Sequence, residues 1–299
     1  MSDEKSQTSS TAVLTSPIPG PKILLIGDSG TGKTHTIRTL LDAGFKEVFV
    51  IFTEPGMEVV GDIPAGKLMW KYLAPARSSW KTLREQANKI NTLPYKTLTE
   101  MADMDKRKYN QFVQLYDVLA NFKDDRTGKE YGAVDEWGTD RALVIDSLSG
   151  INLMAMKLVV GGKPVKSQPD WQVAMDNVET LVTQLTTGVW ATVVIMAHME
   201  REVDEITGGS TIMVSSLGRK LAPKLPRFFS DCIQSVRSGK EFTWSTAASN
   251  AALKSRNLPI ANNIQPSFVR VVETWKKRGG LIAPGVGSYD TTDYVDHDD

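Results

Sequence analysis

The run Gly27-Asp28-Ser29-Gly30-Thr31-Gly32-Lys33-Thr34 constrains this chain more than any other, because it satisfies G-x-x-x-x-G-K-[ST] at every fixed position. It lies between Lys22-Ile23-Leu24-Leu25-Ile26, an apolar run of strand length, and an amphipathic pattern from Thr34 to Leu41 that Gly44 should stop. A strand, a glycine-rich turn and a helix in that order let successive backbone N–H groups point inward at one anion, with the positive end of the helix dipole behind them. The reading is a phosphate cradle built from Gly27, Asp28, Ser29, Gly30, Thr31, Gly32, Lys33 and Thr34. Lys33 then reaches the β/γ-phosphates, and the Thr34 hydroxyl ligates Mg²⁺. A chance glycine-rich turn is the competing reading, and the strand and helix on either side argue against it.

Three further apolar runs carry polar residues at their ends. Val48 to Thr53 leads into Glu54-Pro55-Gly56, which holds Glu54 at a strand tip. Ala142-Leu143-Val144-Ile145-Asp146 is four apolar residues and an aspartate, the Walker B pattern, so Asp146 should bind Mg²⁺ through water or orient Thr34. Ala191 to Ala197 ends in His198, which is read as a γ-phosphate sensor or switch at the carboxyl end of a buried strand, against the alternative of a packed or solvated histidine. His35 and His297 lie elsewhere, so no histidine cluster suggests a metal. Apolar strands alternating with helical patterns predict an α/β fold: a mostly parallel sheet flanked by helices, with the nucleotide at the carboxyl ends of the strands. Asp231 to Val236, Phe242 to Thr246 and Phe268 to Val272 read as a C-terminal extension of further strands or hairpins, antiparallel in part.

A chain of 299 residues has room for one large domain, taken here as residues 21–285. Within it, residues 78–131 form a helical insertion with Trp80, Leu83, Ala87 and Ile90, then Phe112, Leu115, Tyr116 and Leu119, at helical spacing. That insertion is expected to cover one face of the sheet, with Lys106-Arg107-Lys108 on its wet side. Residues 1–20, rich in Ser and Thr, read as a flexible arm, and residues 286–299, with five aspartates, as a disordered acidic tail. Thirty-five basic residues balance 35 acidic ones, so bulk charge does not advertise nucleic acid. The single cysteine, Cys232, excludes an intramolecular disulfide and a Cys-rich zinc site and reads as a small buried apolar residue. No run approaches 18 apolar residues and no signal-peptide layout opens the chain, so the expectation is a cytoplasmic protein without a membrane partner.

The order of these motifs resembles the RecA-like branch of P-loop ATPases, the group holding RecA, DnaB-type helicases and KaiC. In the AAA+ branch a glutamate usually follows the Walker B aspartate, whereas here Asp146 is followed by Ser147-Leu148-Ser149. RecA-like proteins take that glutamate from the end of the second strand, where Glu54 stands, so the resemblance implies that Glu54 orients or activates the attacking water. It also implies a homo-oligomer with nucleotide at subunit interfaces, in which Lys254 and Arg256 of Lys254-Ser255-Arg256 enter a neighbour's γ-phosphate site; a solvated basic turn is the alternative. Among RecA-like proteins the likeness is to compact, phage-type nucleotide-binding proteins linked to recombination and single-strand annealing, over roughly residues 20–280.

That resemblance implies an ATP- and Mg²⁺-dependent ATPase acting in DNA recombination, annealing or replication. It also marks two segments for single-stranded DNA. One runs from Val160 to Gln168, and the other from Glu202 to Lys224 with Gly208, Gly209, Arg219 and Lys220, followed by Arg227. A KaiC-like, nucleotide-switched assembly without DNA is the alternative, and a small-molecule kinase a more distant one.

Overall fold

The computed structural model describes residues 18–74, 79–101, 106–203, 209–248 and 250–284. The arm up to residue 17, Gly208 and the acidic tail lie outside the described residues. Along the chain come β1 (Lys22–Ile26), a 3₁₀ turn (Thr34–Ile37) that continues as α1 (Arg38–Asp42), β2 (Glu47–Phe52) and β3 (Leu68–Tyr72). Next follow α2 (Trp80–Thr92), α3 (Tyr95–Glu100), α4 (Gln111–Ala120), β4 (Arg141–Asp146), α5 (Leu148–Val160), α6 (Gln168–Thr187) and β5 (Thr192–Ala197). A small hairpin of β6 (Met199–Val203) and β7 (Ser210–Val214) precedes α7 (Gly218–Leu221), β8 (Asp231–Ser238), β9 (Glu241–Ser245) and α8 (Val269–Lys277).

Seven strands form one sheet in the order β3-β2-β4-β5-β1-β8-β9, parallel throughout except that β9 runs antiparallel to β8. The apolar runs are continuous because both faces are covered, and alternate residues feed two separate cores. Leu24, Phe49, Ile51, Leu143, Ile145, Val193 and Ile195 face the side carrying α4, α5 and α6. Ile23, Leu25, Val48, Val50, Val144 and Val194 face the side carrying α1 and α8. β1, the strand that leads into the glycine loop, lies between β5 and β8 and is buried along its whole length.

Three expectations need correction. Phe268 to Val272 is not a strand: it starts α8, in which Val271, Val272 and Trp275 are buried, and the 3–4 spacing of Phe268, Val271, Val272 and Trp275 outweighs the β-branched composition. The insertion covers the sheet only in part, since α4 buries Phe112, Leu115 and Val118 whereas α2 buries no residue. In the segment from Glu202 to Lys224, read as a glycine-rich loop, the described residues are largely secondary structure: β6 and β7 pair antiparallel, α7 follows, and Ser215 N donates to His198 O at 2.8 Å. Among the described residues no helix is long and apolar enough to cross a membrane.

Candidate functional site

The site is built where β1, β4, β5 and β2 end. Gly27 N donates to Ala197 O at 3.1 Å, which fixes the start of the loop to the neighbouring strand. The chain then turns through Gly30 (φ +75°) and Gly32 (φ +86°), left-handed conformations that a side chain would strain. Thr31 Oγ1 donates to Asp28 O at 2.9 Å, closing the loop on itself. Lys33 is 7% exposed and folds back along the loop, its Nζ donating to Gly27 O (2.8 Å) and Asp28 O (2.9 Å). Burial lowers its pKa from the ordinary lysine value, and the charges of Asp146, Asp28 and Glu54 work in the opposite sense.

Thr34 Oγ1 donates to Asp146 Oδ2 at 2.7 Å, joining the start of the helical turn to the tip of β4. Desolvation pushes the buried Asp146 carboxyl above the usual carboxylate range, against the Thr34 hydrogen bond and the Lys33 charge. A hydroxyl and a carboxylate side by side are hard oxygen donors, the kind of pair that Mg²⁺ takes while its remaining positions go to phosphate and water. No other grouping suits a metal: among the described residues none brings together three or more His, Cys, Asp or Glu side chains for that purpose.

Glu54 is placed by a staple between strand tips. Thr53 N donates to Asp146 O at 2.8 Å, and the Thr53 hydroxyl both donates to Ser147 O (2.8 Å) and accepts from Ser147 N (2.9 Å). The residue after Thr53 therefore lies beside the Thr34–Asp146 pair. Its carboxylate Oε2 is 3.4 Å from His198 Nε2, both side chains being about one-third exposed. Lys33, Thr34, Glu54, Asp146 and His198 thus share one cleft of about 410 Å³ with the loop from Ser29. A cleft of about 450 Å³ under the β6–β7 hairpin, lined by Trp171 and Glu200 among others, has none of these groups.

Lys254 and Arg256 are not brought to that cleft. Lys254 bridges to Cys232 at the amino end of β8, opposite the glycine loop, and its Nζ donates to Phe229 O at 2.7 Å. Arg256 N and Asn257 N both donate to Asp231 Oδ1, at 2.9 and 2.8 Å, while the Arg256 side chain is exposed. Three of the cations marked for DNA are held in ion pairs: Lys224 and Arg227 both pair with Glu179 (3.0 and 2.7 Å), and Lys163 pairs with Asp170 (3.2 Å).

Sequence reasoning missed two downstream residues that line the cleft or support its loop. Phe242, on β9, lines it and lies against Gly32, and the Arg237 guanidinium sits 5.4 Å from its ring centroid. Ser235 Oγ donates to Thr31 O at 2.9 Å and steadies the loop from β8. Both come from strands more than 200 residues downstream, and only the β1–β8 pairing brings them in.

A glycine-turned loop leaving a central parallel strand, with Lys33 and Thr34 on it and Asp146 opposite Thr34, defines a nucleotide site of the P-loop NTPase class. The chain belongs to a family described as an AAA domain, whose family model covers residues 19–250. It is therefore an ATPase domain of P-loop type. A search of the curated proteins found no match.

Proposed function

We propose that this ATPase domain hydrolyses ATP with Mg²⁺ by the RecA-like division of labour. The observation that carries the reading is the Thr53–Ser147 staple, which sets Glu54 beside the Thr34–Asp146 pair while a serine follows Asp146. In that arrangement Glu54 accepts a proton from water as the water attacks the γ-phosphorus, and ADP leaves. Lys33, released from its loop carbonyls, holds the β/γ oxygens, and His198, within reach of Glu54, reports the state of the γ end. Thr34 and Asp146 would hold the Mg²⁺, which supplies positive charge against the phosphate oxygens. Lys254 and Arg256, on the opposite end of the sheet, serve this chemistry only in a neighbouring copy of a homo-oligomer. The process we propose is DNA recombination, single-strand annealing or replication.

A second reading, a nucleotide-switched assembly that binds a partner other than DNA, is favoured by the balanced charge and by the ion pairs that occupy Lys163, Lys224 and Arg227. Steady-state ATP hydrolysis by the wild type and Glu54→Gln, each with and without single-stranded DNA and with Lys33→Ala as blank, separates the two. The first expects turnover stimulated by DNA and lost in Glu54→Gln; the second expects the same loss without stimulation. Undiminished turnover in Glu54→Gln refutes the assignment of the base.

A further inference from the structure

α2 is put together the wrong way round for a helix that belongs to its own core. Trp80, Leu83, Ala87 and Ile90 fall within about 80° of one another around the helix axis, a single apolar stripe. That stripe faces outward: Trp80 is 87% exposed, Leu83 42% and Ile90 51%, and Tyr95, just beyond the helix, 71%. The less exposed side carries Thr82 and Gln86 instead. Four apolar side chains in a row on water, with polar ones turned towards the molecule, are the pattern of a surface kept for something else.

The same chain offers a receptor of matching chemistry. Between α4 and α6 lies an apolar groove of about 260 Å³ lined by Tyr116, Leu119, Leu181, Leu185 and Val189, with Asp135 at its rim. Exposed Asp117 and Glu136 lie close by in the chain, whereas exposed Arg84 borders the apolar stripe of α2 on the Trp80 side. The two surfaces are also separate parts of the chain. α2 follows the carboxyl end of β3, while the groove lies where α6 gives way to the amino end of β5. Joining such surfaces between copies makes a heterologous, head-to-tail contact, which repeats into a ring or a filament.

We propose that α2 docks into the α4–α6 groove of a second copy of this chain. The inference rests on neither the ATPase mechanism nor the DNA role, and its test uses no nucleotide. The experiment is sedimentation velocity of the full chain over a concentration series, with two exposed-face variants, Leu83→Glu/Ile90→Glu on the helix and Tyr116→Arg/Ala120→Arg on the groove. The wild type should self-associate and each variant should do so at least tenfold more weakly. An equimolar mixture of the two should recover a dimer, because one intact helix then meets one intact groove.

A bis-maleimide should likewise join an Ile90→Cys copy to a Tyr116→Cys copy, since the only native cysteine, Cys232, is buried. That cross-link also decides the matter if a charged variant loses its circular dichroism. A wild type monomeric up to about 0.1 mM, where even weak interfaces assemble, would overturn the proposal. So would variants that assemble like the wild type, a mixture that does not recover, or a doubly substituted chain that cross-links only within itself.

Discussion

A methyl group on Gly32 would stand 3.1 Å from the Phe242 ring, on a backbone with φ +86°. Either condition alone strains an alanine, and the left-handed backbone by itself costs about 1–2 kcal/mol. Gly32→Ala is expected to lower ATP affinity roughly tenfold by isothermal calorimetry, and the same strain should lower the melting temperature by only a few degrees. Lys22 makes a different prediction. It is 7% exposed, has two carbonyl partners, Val189 O and Ala191 O, and burial pushes its pKa down from 10.5 to about 7. Below pH 7 the charged amine carries its full burial penalty, roughly 3–5 kcal/mol at this depth. Between pH 7 and 10.5 the unfolded chain binds the extra proton and stability rises with pH; above that the penalty is gone. Relative to Lys22→Met, the wild type should therefore gain melting temperature from pH 7 to pH 10, and parallel curves for the two proteins would refute the assignment. The phosphate-loop residues were legible in the sequence because spacing alone specifies them. The burial of Lys22 was not, because a lysine opening a strand usually faces water.

At the scale of elements, Asp231 decides where the Lys254–Asn257 segment lies. Its fully buried carboxylate accepts from Arg256 N, Asn257 N, Asn257 Nδ2 and Ser230 Oγ. Asp231→Ala leaves those donors facing a void, and the expected cost is about 3 kcal/mol in urea unfolding. Amide exchange should rise most at Arg256 and Asn257; uniform exchange changes across the sheet would show that the carboxylate acts globally instead. Strands within the apolar core were easy to foresee, as β1, β2, β4, β5 and β8 agree with their runs to within one or two residues. β3 and the β6–β7 hairpin were not, because Leu-Met-Trp-Lys-Tyr at a sheet edge and Met-Glu-Arg-Glu-Val in a two-stranded ribbon lack a continuous apolar run. α8 was mistaken for a strand because valine favours strands, a local preference that burial of one helical face overrides.

For the whole molecule, Cys232 supplies a probe of global opening. Its thiol lies in β8, 1% exposed, with its pKa pushed up to about 12 chiefly by burial. A disulfide reagent should label it only as fast as the entire fold opens, so labelling and unfolding rates should agree across a urea series. Labelling much faster than unfolding would mean that β8 detaches on its own. The fold class was legible from the alternation of strands and helices. The strand order was not, since nothing local in β1 says that its neighbours are β5 and β8. That order sets a timetable for synthesis. Ile23 pairs with Val194 on one side and Asp231 on the other, so the strand beneath the phosphate loop waits for more than 200 further residues before it is flanked. Until the ribosome has delivered β8, the loop has neither Ser235 nor Phe242 to rest on. The motif that is read first in the chain is among the last places to take shape, and pairings this distant close slowly.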